Sequence, residues 1–101
     1  MIEKVFSKNN VLIRLTDERW SHIVEEHCEL AGMRLEVLET VANPLKILAG
    51  EADELLAIRE AVLGKNLVVV YKELKNDGFI ITAFITSKIK SLNRRIRTWP
   101  K

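Results

Sequence analysis

Leu67-Val68-Val69-Val70-Tyr71-Lys72-Glu73-Leu74, then Lys75-Asn76-Asp77-Gly78, then Phe79-Ile80-Ile81-Thr82-Ala83-Phe84-Ile85-Thr86 reads as a β-hairpin. Both runs are rich in β-branched and aromatic residues, and the Asn-Asp-Gly between them suits a tight antiparallel turn. Successive side chains of a strand point to opposite faces. That alternation sets Phe79, Ile81, Ala83 and Ile85 on one face and Ile80, Thr82, Phe84 and Thr86 on the other. The second set is mixed in polarity, which makes its face the candidate to carry function.

Upstream of the hairpin the pattern stays extended. Leu45 to Gly50 predicts a strand ending in a turn. Glu54 to Ala61 predicts another, in which Leu55, Ala57 and Arg59 alternate with Leu56, Ile58 and Glu60, and Gly64-Lys65-Asn66 makes the tight connection to the hairpin. Earlier still the period becomes helical. Thr16 is a natural N-cap, and Asp17 and Glu18 follow where the helix dipole favours acids. Trp20, Ile23, Val24 and His27 fall on one stripe of a helix expected to run to about Leu30 and to stop at Gly32. A second helix is expected from Met33 to Ala42, with Leu35, Leu38 and Val41 or Ala42 inward and Asn43-Pro44 as its end. Before both, Ser7-Lys8-Asn9-Asn10 reads as a turn and Val11-Leu12-Ile13-Arg14-Leu15 as a short strand. Helices followed by a meander predict an α+β domain with the helices on one face of an antiparallel sheet.

The chain of 101 residues fits a single domain. Cys28 is its one cysteine, which excludes a disulfide-stapled secreted scaffold. The N-terminus lacks the pattern of a secretory signal, and no apolar stretch nears the roughly 20 residues that span a bilayer. A cytoplasmic location is therefore expected. Charge is unevenly placed: residues 1–87 hold 10 basic and 14 acidic side chains, a balance of −4, whereas residues 88–101 hold Lys88, Lys90, Arg94, Arg95, Arg97 and Lys101 with no acid. A basic tail on an acidic body either meets an anion, nucleic acid being the commonest large one, or stays solvated. A homo-oligomer that swaps this tail between protomers is a further option, on which the sequence itself is silent.

Two histidines lie on the first helix. His22 and His27 are five apart, about 140° around the axis, so they cannot chelate one metal, and no metal or other cofactor is expected. His27, on the apolar stripe, is either a core residue or a general base tuned by burial beside a cleft. His22, nearer Glu25 and Glu26, reads as a surface residue or as the second acid–base group. Arg59 in a strand needs an anion: Glu73, an acid of the helices, or the phosphate of a substrate. Tyr71 is a core residue or a base-stacking platform, and Lys72 points to the opposite face. Thr82 and Thr86 share a face and lead into Ser87-Lys88, which together make a plausible phosphate-binding edge.

The string Leu15-Thr16-Asp17-Glu18-Arg19-Trp20-Ser21-His22-Ile23-Val24-Glu25-Glu26-His27, with Val69-Val70-Tyr71 and Thr82-Ala83-Phe84-Ile85-Thr86-Ser87, resembles small bacterial proteins, notably cyanobacterial ones. Through them the chain resembles the barnase–EndoU–colicin–RelE-like endoribonucleases, in particular their phage-associated branch. The resemblance spans residues 15 to 88. It implies two N-terminal helices on a four-stranded antiparallel sheet and metal-independent cleavage of RNA by 2′-OH attack on the adjacent phosphate. It further implies His22 or His27 as acid or base, Arg59 as the phosphate-stabilising cation, and Thr82, Thr86 or Ser87 as donors to phosphate oxygens. A toxin of this kind would have an antitoxin, acidic or with an extended segment over the basic face. Where the relatives carry His-Pro-Glu this chain has His27-Cys28-Glu29, so the helix is free to continue past His27. The alternative is a non-catalytic module that binds nucleic acid or a protein through residues 88–101, with Trp99 stacking.

Overall fold

A computed structural model describes residues 2–62 and 64–100. Its elements in chain order are β1 (Ile2–Phe6), β2 (Leu12–Thr16), α1 (Asp17–Glu26), a 3-10 turn (Cys28–Leu30), α2 (Arg34–Ala42), β3 (Lys46–Ala49), β4 (Leu55–Val62), β5 (Lys65–Glu73), β6 (Asp77–Thr86), α3 (Ile89–Leu92) and β7 (Arg97–Trp99). The strands form one sheet in the order β1-β2-β6-β5-β4-β3-β7. The expectation of two N-terminal helices on a four-stranded antiparallel sheet is thereby corrected. The sheet has seven strands, it is mixed because β2 runs parallel to β6, and a β1–β2 hairpin precedes the helices. β1 escaped the sequence reading because Glu3 and Lys4 interrupt a run of only five residues.

The β4–β5–β6 meander is the centre, and it separates two apolar layers. Leu55, Ala57, Leu67, Val69, Tyr71, Ile80 and Ala83 face α1 and α2, meeting Ile23, Leu30, Val37, Leu38 and Val41. Leu56, Ile58, Val68, Val70 and Phe84 face the other way, where Ile89 and Leu92 of α3 cover them together with Leu48. The basic C-terminal segment therefore folds back on the sheet, α3 onto the second face and β7 as an edge strand beside β3, with Lys101 outside the described residues.

The alternation expected for Phe79 to Thr86 is broken once. β5 and β6 pair Val70 with Thr82 but Tyr71 with Ile80, so Ile81 is the extra residue of a β-bulge. Ile80 consequently joins Ala83 in the core under the helices, and Phe79 moves to the face of Thr82, Phe84 and Thr86, opposite Lys72.

The helices are also adjusted. Thr16 caps α1 as expected, accepting from the Arg19 N–H at 3.1 Å. Yet α1 ends at Glu26 rather than near Leu30, because His27 leaves helical geometry (φ −133°, ψ 71°) while its N–H still closes on Ile23. Gly32 takes its left-handed conformation in the turn before α2 (φ 82°). On α2, Val37, Leu38 and Val41 are the buried residues, whereas Leu35, expected inward, is 70% exposed. Arg34 pins the start of α2: its guanidinium pairs with Glu3 of β1, with Asp17 of α1 at 2.7 Å, and donates to the Leu15 carbonyl of β2 at 3.2 Å. At the far end of β1, Ser7 and Asn9 bind the Glu73 carboxylate, so Glu73 is not the partner of Arg59. Among the described residues no helix is long and apolar enough to cross a membrane.

Two substitutions test this packing. A Cβ at Gly78 would lie 2.2 Å from the Lys72 carbonyl and 2.7 Å from Ile13 Cδ1, where β2, β6 and β5 meet. Gly78→Ala is expected to cost about 2 kcal/mol or more in urea unfolding, because backbone must move to admit the methyl. Tyr71 is fully buried and its hydroxyl lacks a hydrogen-bond partner among the described residues. Tyr71→Phe should therefore raise stability by roughly 1 kcal/mol, since an unmet buried donor is removed. Burial, aided by Glu73, also pushes the Tyr71 phenol above its ordinary pKa. The unfolded chain then loses this proton first, so stability falls as pH rises past the ordinary tyrosine value of about 10, and unfolding of Tyr71→Phe should lose that part of the alkaline slope.

Candidate functional site

β2 turns into α1 at Thr16, so it pairs with β6 only over Asp77 to Phe79. Beyond that point α1 lies beside β6, with Arg19 Nη1 reaching the Ile81 carbonyl at the bulge at 3.5 Å. The early end of α1 then delivers His27 to β6. Its ring sits 6.2 Å from that of Phe84, tilted by 37°. Thr82 and Thr86 flank Phe84 two residues away on either side, and the pleat puts all three on one face.

Thr82, Phe84 and Thr86 thus form one strip on the second face of the sheet, with the His27 ring beside Phe84. The His27 side chain is 31% exposed, and its Nδ1 lies 3.7 Å from Glu29 Oε2. Thr86 Oγ1 accepts the Lys88 N–H at 2.9 Å, which leaves its own hydroxyl proton available to a second acceptor. Lys72 and Phe79 continue the strip at one end, and exposed Ser87, Lys88 and Lys90 continue it at the other.

The remaining candidates go elsewhere. His22 stands exposed on α1 with Nδ1 3.9 Å from Glu25. Arg59 lies on the helix face, opposite Leu67, and its guanidinium pairs with Glu39 of α2 at 3.4 Å. It is thus a partner of a helix acid and lies across the sheet from Phe84. Tyr71 is enclosed in the core and offers no face to a base. In the C-terminal segment, Arg95 pairs with Glu51 at 3.6 Å, while Arg94 and Arg97 are exposed. Trp99 is half-buried, with Lys8 Nζ 5.2 Å from its ring centroid, so one ring face already meets a cation.

Phe84 falls on the face expected to carry function, whereas Phe79 and Glu29 were not among the candidates. The aromatic signal was present as two phenylalanines among threonines in β6, but strict alternation set them on opposite faces, and only the bulge unites them. Comparison with protein-family models, with curated proteins and with solved structures gave no match.

Proposed function

We propose that the chain is a metal-independent endoribonuclease acting through the strip of His27, Thr82, Phe84 and Thr86. The observation that supports this reading is the arrival of a part-exposed imidazole beside an aromatic ring flanked by two threonines, with lysines at both ends. A base of single-stranded RNA stacks on the part of the Phe84 ring that Ile89 and Leu92 leave uncovered, and the adjacent phosphate lies along β6. Neutral His27 takes the proton of the ribose 2′-OH as that oxygen attacks phosphorus. The imidazolium so formed returns a proton to the departing 5′-oxygen, leaving a 2′,3′-cyclic phosphate. The Thr86 hydroxyl donates to a non-bridging oxygen of this phosphate with Lys88 beside it, while Thr82, about 13 Å back along the strand, and Lys72 meet a neighbouring phosphate of the same RNA. Arg59 has no part in this scheme.

A second reading follows from Arg59. With that guanidinium committed to Glu39 on the other face, the arginine expected to stabilise the phosphate is not at the strip, and in this reading the strip binds RNA without cleaving it. One experiment separates the two: incubation of an oligoribonucleotide with purified protein in excess EDTA, with end-group analysis. Cleavage is expected in the wild type, reduced about 10²–10⁴-fold in His27→Ala and roughly tenfold in Thr82→Ala or Thr86→Ala. Arg59→Ala should cleave as the wild type does. His27 lies outside α1 and is part-exposed, so His27→Ala should stay within about 1 kcal/mol of wild-type stability. Equal cleavage by wild type and His27→Ala would sink the catalytic reading. RNA binding that weakens with salt, with no cleavage at any protein concentration, would establish the second.

A further inference from the structure

The helix face, away from the RNA strip, holds a groove of about 710 Å³ between α2, β1 and the end of β4. Its apolar lining includes Val5 and Leu35, with the buried Leu38 and Leu67 behind them. Leu35 is 70% exposed, so α2 turns a large apolar side chain to this groove instead of the core.

The backbone around the groove is unusual. Glu3, Lys4 and Val5 all line it, as do Arg59, Glu60 and Ala61. Consecutive strand residues point to alternate faces, so three in a row border a groove along a strand's edge. Both edges are open: β1 is the outermost strand, and β3 pairs with β4 only as far as Ile58. Open edges accept an added strand through their free N–H and C=O groups.

Charge selects the occupant. Glu39 is held by Arg59 and Glu3 by Arg34, which leaves Glu36 and Glu60 against Lys4 at the rim. The same negative balance repels RNA. We infer that this groove binds an extended segment of a partner protein with alternating apolar and basic residues, added as a strand at β1 or β4. Its apolar side chains contact Leu35, and its cations meet Glu36 and Glu60. The inference is independent of RNA cleavage, because the groove and the strip lie on opposite faces.

The probe is a fluorescein-labelled octapeptide of alternating leucine and lysine, with a leucine–glutamate octapeptide as its control. Fluorescence anisotropy should show the lysine peptide binding at least roughly tenfold more tightly, with salt weakening it. Leu35→Asp, and separately Glu36→Lys with Glu60→Lys, should each cost about tenfold; all three are exposed, so the fold is retained. Amide NMR shifts should concentrate at residues 3–5 and 59–61. Shifts confined to β6, equal affinity for both peptides, or a concentration-dependent dimer that buries Leu35 would each overturn the proposal.

Discussion

The bulge at Ile81 is the constraint through which β6 serves both layers of the molecule. Before it, β6 is locked between β2 and β5, with Gly78 admitting the β5 backbone on one side and the Ile13 side chain of β2. After it, the strand has shifted parity. Ile80 and Ala83, which strict alternation would set on opposite faces, are both buried under the helices. The same shift aligns Phe79, Thr82, Phe84 and Thr86 on the second face. A single added residue therefore reconciles a continuous apolar core with a polar–aromatic surface on one strand.

Two terminations complete the strip. β2 gives way to α1 at Thr16, whose hydroxyl takes up an amide the new helix leaves unpaired, and α1 then runs beside the exposed stretch of β6. The helix stops at Glu26, one residue before His27, whose ring meets Phe84. Had α1 continued to Leu30, His27 would have stayed on a helical face with Trp20 and Ile23. The stop occurs without a proline at position 28.

Charge is partitioned between the faces. Arg59 and Arg34 are consumed on the helix side by Glu39, Glu3 and Asp17, where they fasten α2 to β4, β1 and α1. Lys72, Lys88 and Lys90 remain at the other face, unopposed by a carboxylate within ion-pair distance among the described residues. A phosphate-bearing ligand and a cationic peptide would therefore be drawn to opposite sides of the sheet.

Much was written in local sequence. The β5–β6 hairpin, the strand at Leu55 to Val62 with its two alternating faces, the Thr16 cap, and the end of α2 at Asn43-Pro44 all follow from residue types acting on their neighbours. So did the polar–aromatic character of the Thr82, Phe84 and Thr86 face. What neighbours could not decide was pairing at a distance. The parallel contact of β2 with β6, the addition of β1 and β7, and the bulge at Ile81 arise from which strand meets which, and packing against α1 and α2 sets that. Arg59 shows the same limit: its strand position was legible, but the choice between phosphate and carboxylate depended on where α2 crosses the sheet. His27 reaches Phe84 for that reason too, since the two are 57 positions apart and only the folded chain brings them together.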